Sequence, residues 1–85
     1  METIEFRQAL FWDMDPKNID PQKNAQYVIE RIMEDGWDKE VRWMWNFYDK
    51  KLLLRIAMGS KNLSRKTSNF WRLVMNHHFK NKTSN

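Results

Sequence analysis

Two carboxylates one residue apart, Asp13 and Asp15 in Phe11-Trp12-Asp13-Met14-Asp15-Pro16, are the first residues whose types and spacing can do chemistry. Acid pairs at i, i+2 hold divalent cations in phosphoryl-transfer enzymes, where they sit on a strand near a glycine-rich phosphate loop and a further carboxylate. This chain has two glycines in all and no strand pattern around the pair. A turn is therefore expected: Asp13 or Asp15 accepts hydrogen bonds from nearby backbone N–H groups, and Phe11 and Trp12 pack onto the domain. His77 and His78 form a second titratable pair. Adjacent helical side chains point about 100° apart, so the two imidazoles do not share a metal ion. One is expected to pack near a helix end and the other to face solvent. There is no cysteine and no nucleophile–base–acid set in a recognisable local context. No catalytic residue, metal ligand or cofactor is assigned, and a non-enzymatic protein is expected.

Two other sets point to binding. Arg65, Asn69, Arg72 and Asn76, with Lys66 beside them, recur at helical spacing near the C-terminus. Arginine and asparagine make paired hydrogen bonds to guanine and adenine edges in the major groove. Helices over 50–58 and 65–77 would then form a helix-turn-helix-like pair, with the second helix reading bases and Lys50, Lys51 and Lys61 on the phosphates. The fit to the strict motif is poor, because the link from Gly59 to Ser64 is long and Ser60, Arg65 and Ser68 fall where apolar residues belong. The other set is Trp43 and Phe47, at i, i+4 and flanked by Arg42 and Asn46. Aromatic side chains carry interface energy out of proportion to their number, so an exposed pair here would anchor a protein partner. The competing placement is under the N-terminal segment, against Phe6, Leu10 or Trp12.

The elements that must position these residues are legible in the apolar spacing. Asp20-Pro21 is a helix start, and Ala25, Val28, Ile29, Ile32 and Met33 follow as one apolar face of a helix over 21–34 that Gly36 ends. Asp38 is expected to cap a helix over 39–48 with Val41, Met44, Trp45 and Tyr48 inward. Asp49 caps a helix over 50–58 with Leu53, Ile56 and Ala57 inward and Gly59 as terminator. Ser64 caps a last helix over 65–77 whose inward face is Thr67, Phe70, Trp71 and Val74. A further short helix over 5–10 precedes the Asp13 turn, since Pro16 excludes Asp15 from helical geometry. The fold class is all-α, a compact bundle of four to five short helices. One domain spans 1–78, and 79–85 is a polar tail expected to fray.

Composition bounds the function classes. A chain of 85 residues buries about 60–65% of its unfolded surface, a small core that twelve aromatic residues help to fill. Absence of cysteine excludes disulfides and thiolate–metal sites and points to a reducing cytoplasm. Glu2 and Glu5 stand where a secretory leader carries positive charge, and no stretch approaches the roughly 20 apolar residues of a membrane span. A soluble cytoplasmic chain is expected. Residues 1–40 hold five Lys/Arg against ten Asp/Glu, whereas 41–85 hold ten against one, Asp49. The basic half suits nucleic acid or an acidic protein surface, or else the halves attract each other.

A resemblance adds to this reading. Leu10-Phe11-Trp12-Asp13 with Asp15-Pro16, Tyr27 to Arg31 with Gly36, Trp43, Tyr48, and Leu63-Ser64 with Lys66-Thr67 and Asn69-Phe70-Trp71 form one ordered pattern. It is similar to a family of short, uncharacterised prokaryotic proteins with an F-W-D start and an L-S-x-K-T-x-N-F-W end, over about residues 8–75. Ser60-Lys61-Asn62 departs from the Ser-Arg usual there. Such proteins are often encoded beside nucleotidyltransferase-like toxins of the abortive-infection type. The resemblance thus implies an antitoxin-like or accessory protein whose partner is such a toxin. DNA remains the alternative partner, since many antitoxins also repress their own operons. Because the pattern pairs aromatics with short polar residues at both ends, Trp12 is expected to pack near Phe70 or Trp71, with Asp13 accepting a hydrogen bond.

Overall fold

A computed structural model describes Leu10, Phe11 and residues 18–83, the side chains of 81–83 excepted. The expected helix over 5–10 is therefore outside the described residues but for Leu10, and Trp12, Asp13 and Asp15 lie outside them entirely. Among the described residues there are four helices and no strand: α1 (Ala25–Asp35), α2 (Asp38–Phe47), α3 (Lys50–Gly59) and α4 (Arg65–Thr83). The all-α bundle is the observed architecture. α4 lies chiefly on α3 and also touches α1, while α1 packs against α2 and α3. Val28, Ile29, Ile32 and Met33 of α1, Met44 of α2, and Leu53, Ile56 and Ala57 of α3 meet in one core, as their spacing predicts. Leu10 and Phe11 are buried with them, and the Phe11 ring lies 5.6 Å from that of Tyr27.

Helix starts differ from expectation for local reasons. Asp20 does cap, its Oδ1 accepting from the Gln22 and Lys23 N–H groups at 2.9 and 3.3 Å. The Asn24 N–H donates to the Asp20 carbonyl at 2.7 Å, so 20–24 is a single helical turn leading into α1. α2 begins one residue early: Trp37 is the N-cap and Asp38 the first helical residue, where its charge complements the helix dipole. Glu40 explains the shift. It is fully buried, and its Oε1 accepts the Trp37 N–H at 2.8 Å. Asp49 caps α3 through the Lys51 N–H at 3.2 Å, and the Ser64 hydroxyl accepts the Thr67 N–H at 3.2 Å at the start of α4.

The two glycines act otherwise than as left-handed terminators, since neither has a positive φ. Gly36 leaves α1 in an extended conformation, and a Cβ there would fall 2.5 Å from the Ile32 carbonyl oxygen. Close approach is what demands glycine at 36. Gly59 faces open space as the last residue of α3, and Ser60 is the C-cap.

α4 departs most. It runs to Thr83, past the expected end at 77. Its buried residues are Trp71 and Met75, with Thr67, Ser68, Val74, His78 and Phe79 half-buried. Phe70 was expected inward and is instead 58% exposed. Four links hold α4 in this rotation. The Trp71 indole N–H donates to the Met33 carbonyl at 3.3 Å, and Glu34 accepts the Ser64 N–H at 2.9 Å. Ser68 Oγ and the Arg72 guanidinium donate to the Ala57 and Met58 carbonyls, at 3.2 and 3.3 Å, satisfying the last turn of α3.

Candidate interaction surfaces

The link between α3 and α4 is organised by a buried acid. Glu30 is 7% exposed, and its carboxylate accepts hydrogen bonds from Gln26 Nε2 at 3.0 Å, Ser60 Oγ at 2.6 Å and Asn62 Nδ2 at 3.2 Å. Two neutral donors, Ser60 and Asn62, thus tie residues 60–62 to α1, while Gln26 completes the carboxylate's partners from within α1. At the end of the same link, Glu34 receives α4. Burial pushes the Glu34 carboxyl up. The Ser64 N–H, the Ser64 and Thr67 hydroxyls and the Arg31 guanidinium outweigh it and hold the carboxyl below its ordinary value. Together these contacts fix which side of α4 faces outward.

That outward surface divides lengthwise into two strips. One carries Arg65, Asn69, Arg72 and Asn76, the other Lys66, Phe70, Leu73 and His77, each at offsets of four, three and four residues. All eight are exposed. The five residues singled out for nucleic acid, Arg65, Lys66, Asn69, Arg72 and Asn76, are thus all on the surface, with Lys66 on the second strip. Arg72 lies against α3 and gives one N–H to Met58. The second strip has an apolar centre: Leu73 is 70% exposed and Phe70 stands edge-on to the buried Trp71 ring at 5.6 Å. A large apolar side chain left in water forgoes about 1.5–3 kcal/mol of burial, so two of them one turn apart mark this strip. Spacing could have revealed it. Trp71, Met75 and His78 follow at i, i+4, i+7, and a core line drawn through them leaves Phe70 and Leu73 outside.

Trp43 and Phe47 behave differently. Both are half-buried, and their rings stack 4.8 Å apart at 17°. Each also meets Tyr48 edge-on, at 5.7 and 4.9 Å. Tyr48 is buried and donates its hydroxyl hydrogen to the Pro21 carbonyl at 2.7 Å. Burial, and then the charge of Asp20, push its phenol well above the ordinary value, so it stays a donor. The pair is thus the outer layer of a packed cluster more than a free anchor.

Of the two histidines, His77 is exposed and His78 half-buried, edge-on to Trp45 and Phe79 at 5.1 Å each. Lys50 sits over the same Trp45 ring, 4.7 Å from its centroid, and donates to the Trp45 carbonyl. Among the described residues no three His, Asp or Glu side chains converge to hold a metal ion, and no helix is long and apolar enough to cross a membrane.

One family model matches residues 6–57, a stretch that takes in α1, α2 and α3 to Ala57 and stops short of α4; the family is described as one of unknown function. No curated protein and no solved structure matches the chain.

Proposed function

The chain belongs to that family, DUF6922, and from this premise we propose that it is a small non-enzymatic interaction protein that docks on another protein through α4. The observation that carries this reading is the exposure of Phe70 and Leu73 on a helix held rigidly from behind by Trp71, Ser68 and Ser64. Apolar anchors on a pre-ordered helix bind at little entropic cost. Trp43 and Phe47, the anchors suggested by sequence, take a lesser part, because each offers only the outer part of its ring. The resemblance supplies the kind of partner: a nucleotidyltransferase-like toxin, which the chain would occlude as an antitoxin does.

A DNA-binding role is the second reading, and the strip of Arg65, Asn69, Arg72 and Asn76 favours it. One experiment separates the two. The tagged chain, its Phe70→Ala/Leu73→Ala variant and its Arg65→Ala/Asn69→Ala variant are used to capture partners from host lysate, with and without nuclease. Docking through α4 predicts a protein partner that survives nuclease and is lost only with the first variant. Recovery of nucleic acid, lost only with the second variant, would replace it with the DNA reading.

A further inference from the structure

The partner's chemistry can be read from the charge around the apolar strip. From Lys50 to Asn85 the chain contains no Asp or Glu. Phe70 and Leu73 therefore have Lys66 a turn before them on their own strip and Arg65 and Arg72 along the neighbouring one. The acid placed at this end of α4, Glu34, is turned to Ser64 and Thr67. No acidic side chain stands in the first turn of α4, and the Glu34 carboxylate at the Ser64 N–H answers the positive end of its dipole, so the positive charge of this surface is that of its own Lys and Arg side chains.

The geometry of the strip selects a shape as well as a charge. Offsets of four, three, four and three residues keep Lys66, Phe70, Leu73, His77 and Lys80 on one seam with a mean period of about 3.5, the spacing at which one helix packs along another. From Lys66 to Lys80 the seam is about 21 Å long at 1.5 Å per residue, which matches a partner helix of about four turns.

We propose that α4 is the docking seam for an acidic amphipathic helix of a partner protein, one with an apolar centre that covers Phe70 and Leu73 and flanking acidic residues that face Arg65, Lys66 and Arg72. This rests on the reading of the chain as a protein-docking module and deepens it. A second copy of the chain is the wrong occupant, because two such seams facing each other would bring Arg65, Lys66 and Arg72 of both copies together. Nucleic acid satisfies the charge but leaves the apolar centre without a role, since phosphate contacts come from charged and polar groups and not from Phe or Leu.

The test is a selection from a display library of 16-residue helical peptides. The central seam positions are Leu or Ile, and the flanking positions vary freely among Glu, Gln and Lys. The bait is the full chain, with the Phe70→Ala/Leu73→Ala chain as control and circular dichroism to confirm that both fold. The expected result is enrichment of Glu over Lys at the flanks by about tenfold or more, with peptides that lose about tenfold or more in affinity on the control. Their binding should weaken only modestly from 50 to 200 mM salt, a range over which phosphate-driven binding falls by about 10³-fold or more. Enrichment of Gln or Lys that still depends on Phe70 and Leu73 overturns the acidic partner while leaving the docking surface standing. No enrichment over the control overturns the seam. No enrichment together with tight, salt-sensitive binding of a 16-base-pair duplex overturns the docking reading as well.

Discussion

α2 and α4 each carry aromatic residues on more than one face, yet they dispose of them in opposite ways. On α2, Trp43 and Phe47 stack on each other and lean on Tyr48, whose hydroxyl is tied to Pro21, so the off-core aromatics form a second small cluster. On α4, consecutive residues part company: Trp71 is 5% exposed beneath α1, while Phe70 points outward with Leu73. Trp43 and Phe47 each find the other's ring four residues away, and both meet a tyrosine at the end of α2 that is anchored from outside. Among the described residues, α4 is held by α1 at Ser64 and Trp71, by α3 at Ser68 and Arg72, and by the Trp45 ring of α2 at His78. The difference teaches that an aromatic off the core line is a candidate anchor when its ring contacts leave it largely in water: Phe70 meets Trp71 edge-on yet stays exposed, whereas Trp43 and Phe47 are half-buried in their own cluster.

The largest expected effect tests the buried side of that contrast. Trp71→Ala removes a core ring and the donor to the Met33 carbonyl, and should destabilise the chain by about 3–5 kcal/mol in urea denaturation. A loss below about 1 kcal/mol would mean that α4 is not held in this rotation. Next in size is the α2 cluster. Trp43→Ala and Phe47→Ala should each cost about 1–3 kcal/mol, and the double variant should reveal a coupling of about 0.5–1.5 kcal/mol between the stacked rings. Additivity would free the pair to act as an anchor and erase the distinction from α4. Tyr48→Phe, which leaves the Pro21 carbonyl without its donor, should cost about 1 kcal/mol by the same measurement.

These contrasts also show what could be read from sequence. The faces of α1 and α3 were legible because Val28-Ile29-Ile32-Met33 and Leu53-Ile56-Ala57 leave one possible apolar line. The caps Asp49 and Ser64 were legible because their bonds are local. α4 was legible only in part: Trp71 is buried as expected, but Phe70 is exposed and Met75 buried in its stead, because lines through Phe70 and Val74 and through Trp71 and Met75 are of similar quality. The choice between them is made by tertiary contacts and by Phe79, which only a helix longer than 65–77 brings onto the inward side. The α2 start was missed for a related reason. A buried Glu40 reaching back to the Trp37 N–H outcompetes Asp38 as the local cap. The Glu30 network was invisible because its donors Ser60 and Asn62 lie 30 and 32 residues away.

The grip at the start of α4 can be weakened by acid. The Glu34 carboxyl is held below its ordinary value of 4.5 in the folded chain. A depressed folded pKa contributes stability that is full above the unfolded value and is lost as pH falls through the folded one. Stability should therefore drop as pH is lowered below about 4.5, and Glu34→Gln should flatten that part of the profile. An unchanged slope in the variant would show that Glu34 does not secure Ser64, and with it the fixed orientation of the outward strips.

The smallest expected effect is the most telling one for function. Phe70→Ala and Leu73→Ala remove side chains that water already surrounds, so each should change stability by no more than about 0.5 kcal/mol, while Trp71→Ala next door costs several. Both variants also raise local helix propensity, a small gain that works against any loss of packing. A residue that the fold does not need, on a helix the fold holds firmly, is free to serve a partner. If either variant instead costs 2 kcal/mol or more, on the scale of core truncation, the side chain is buried in the free protein, and the α4 seam has an occupant within the chain itself.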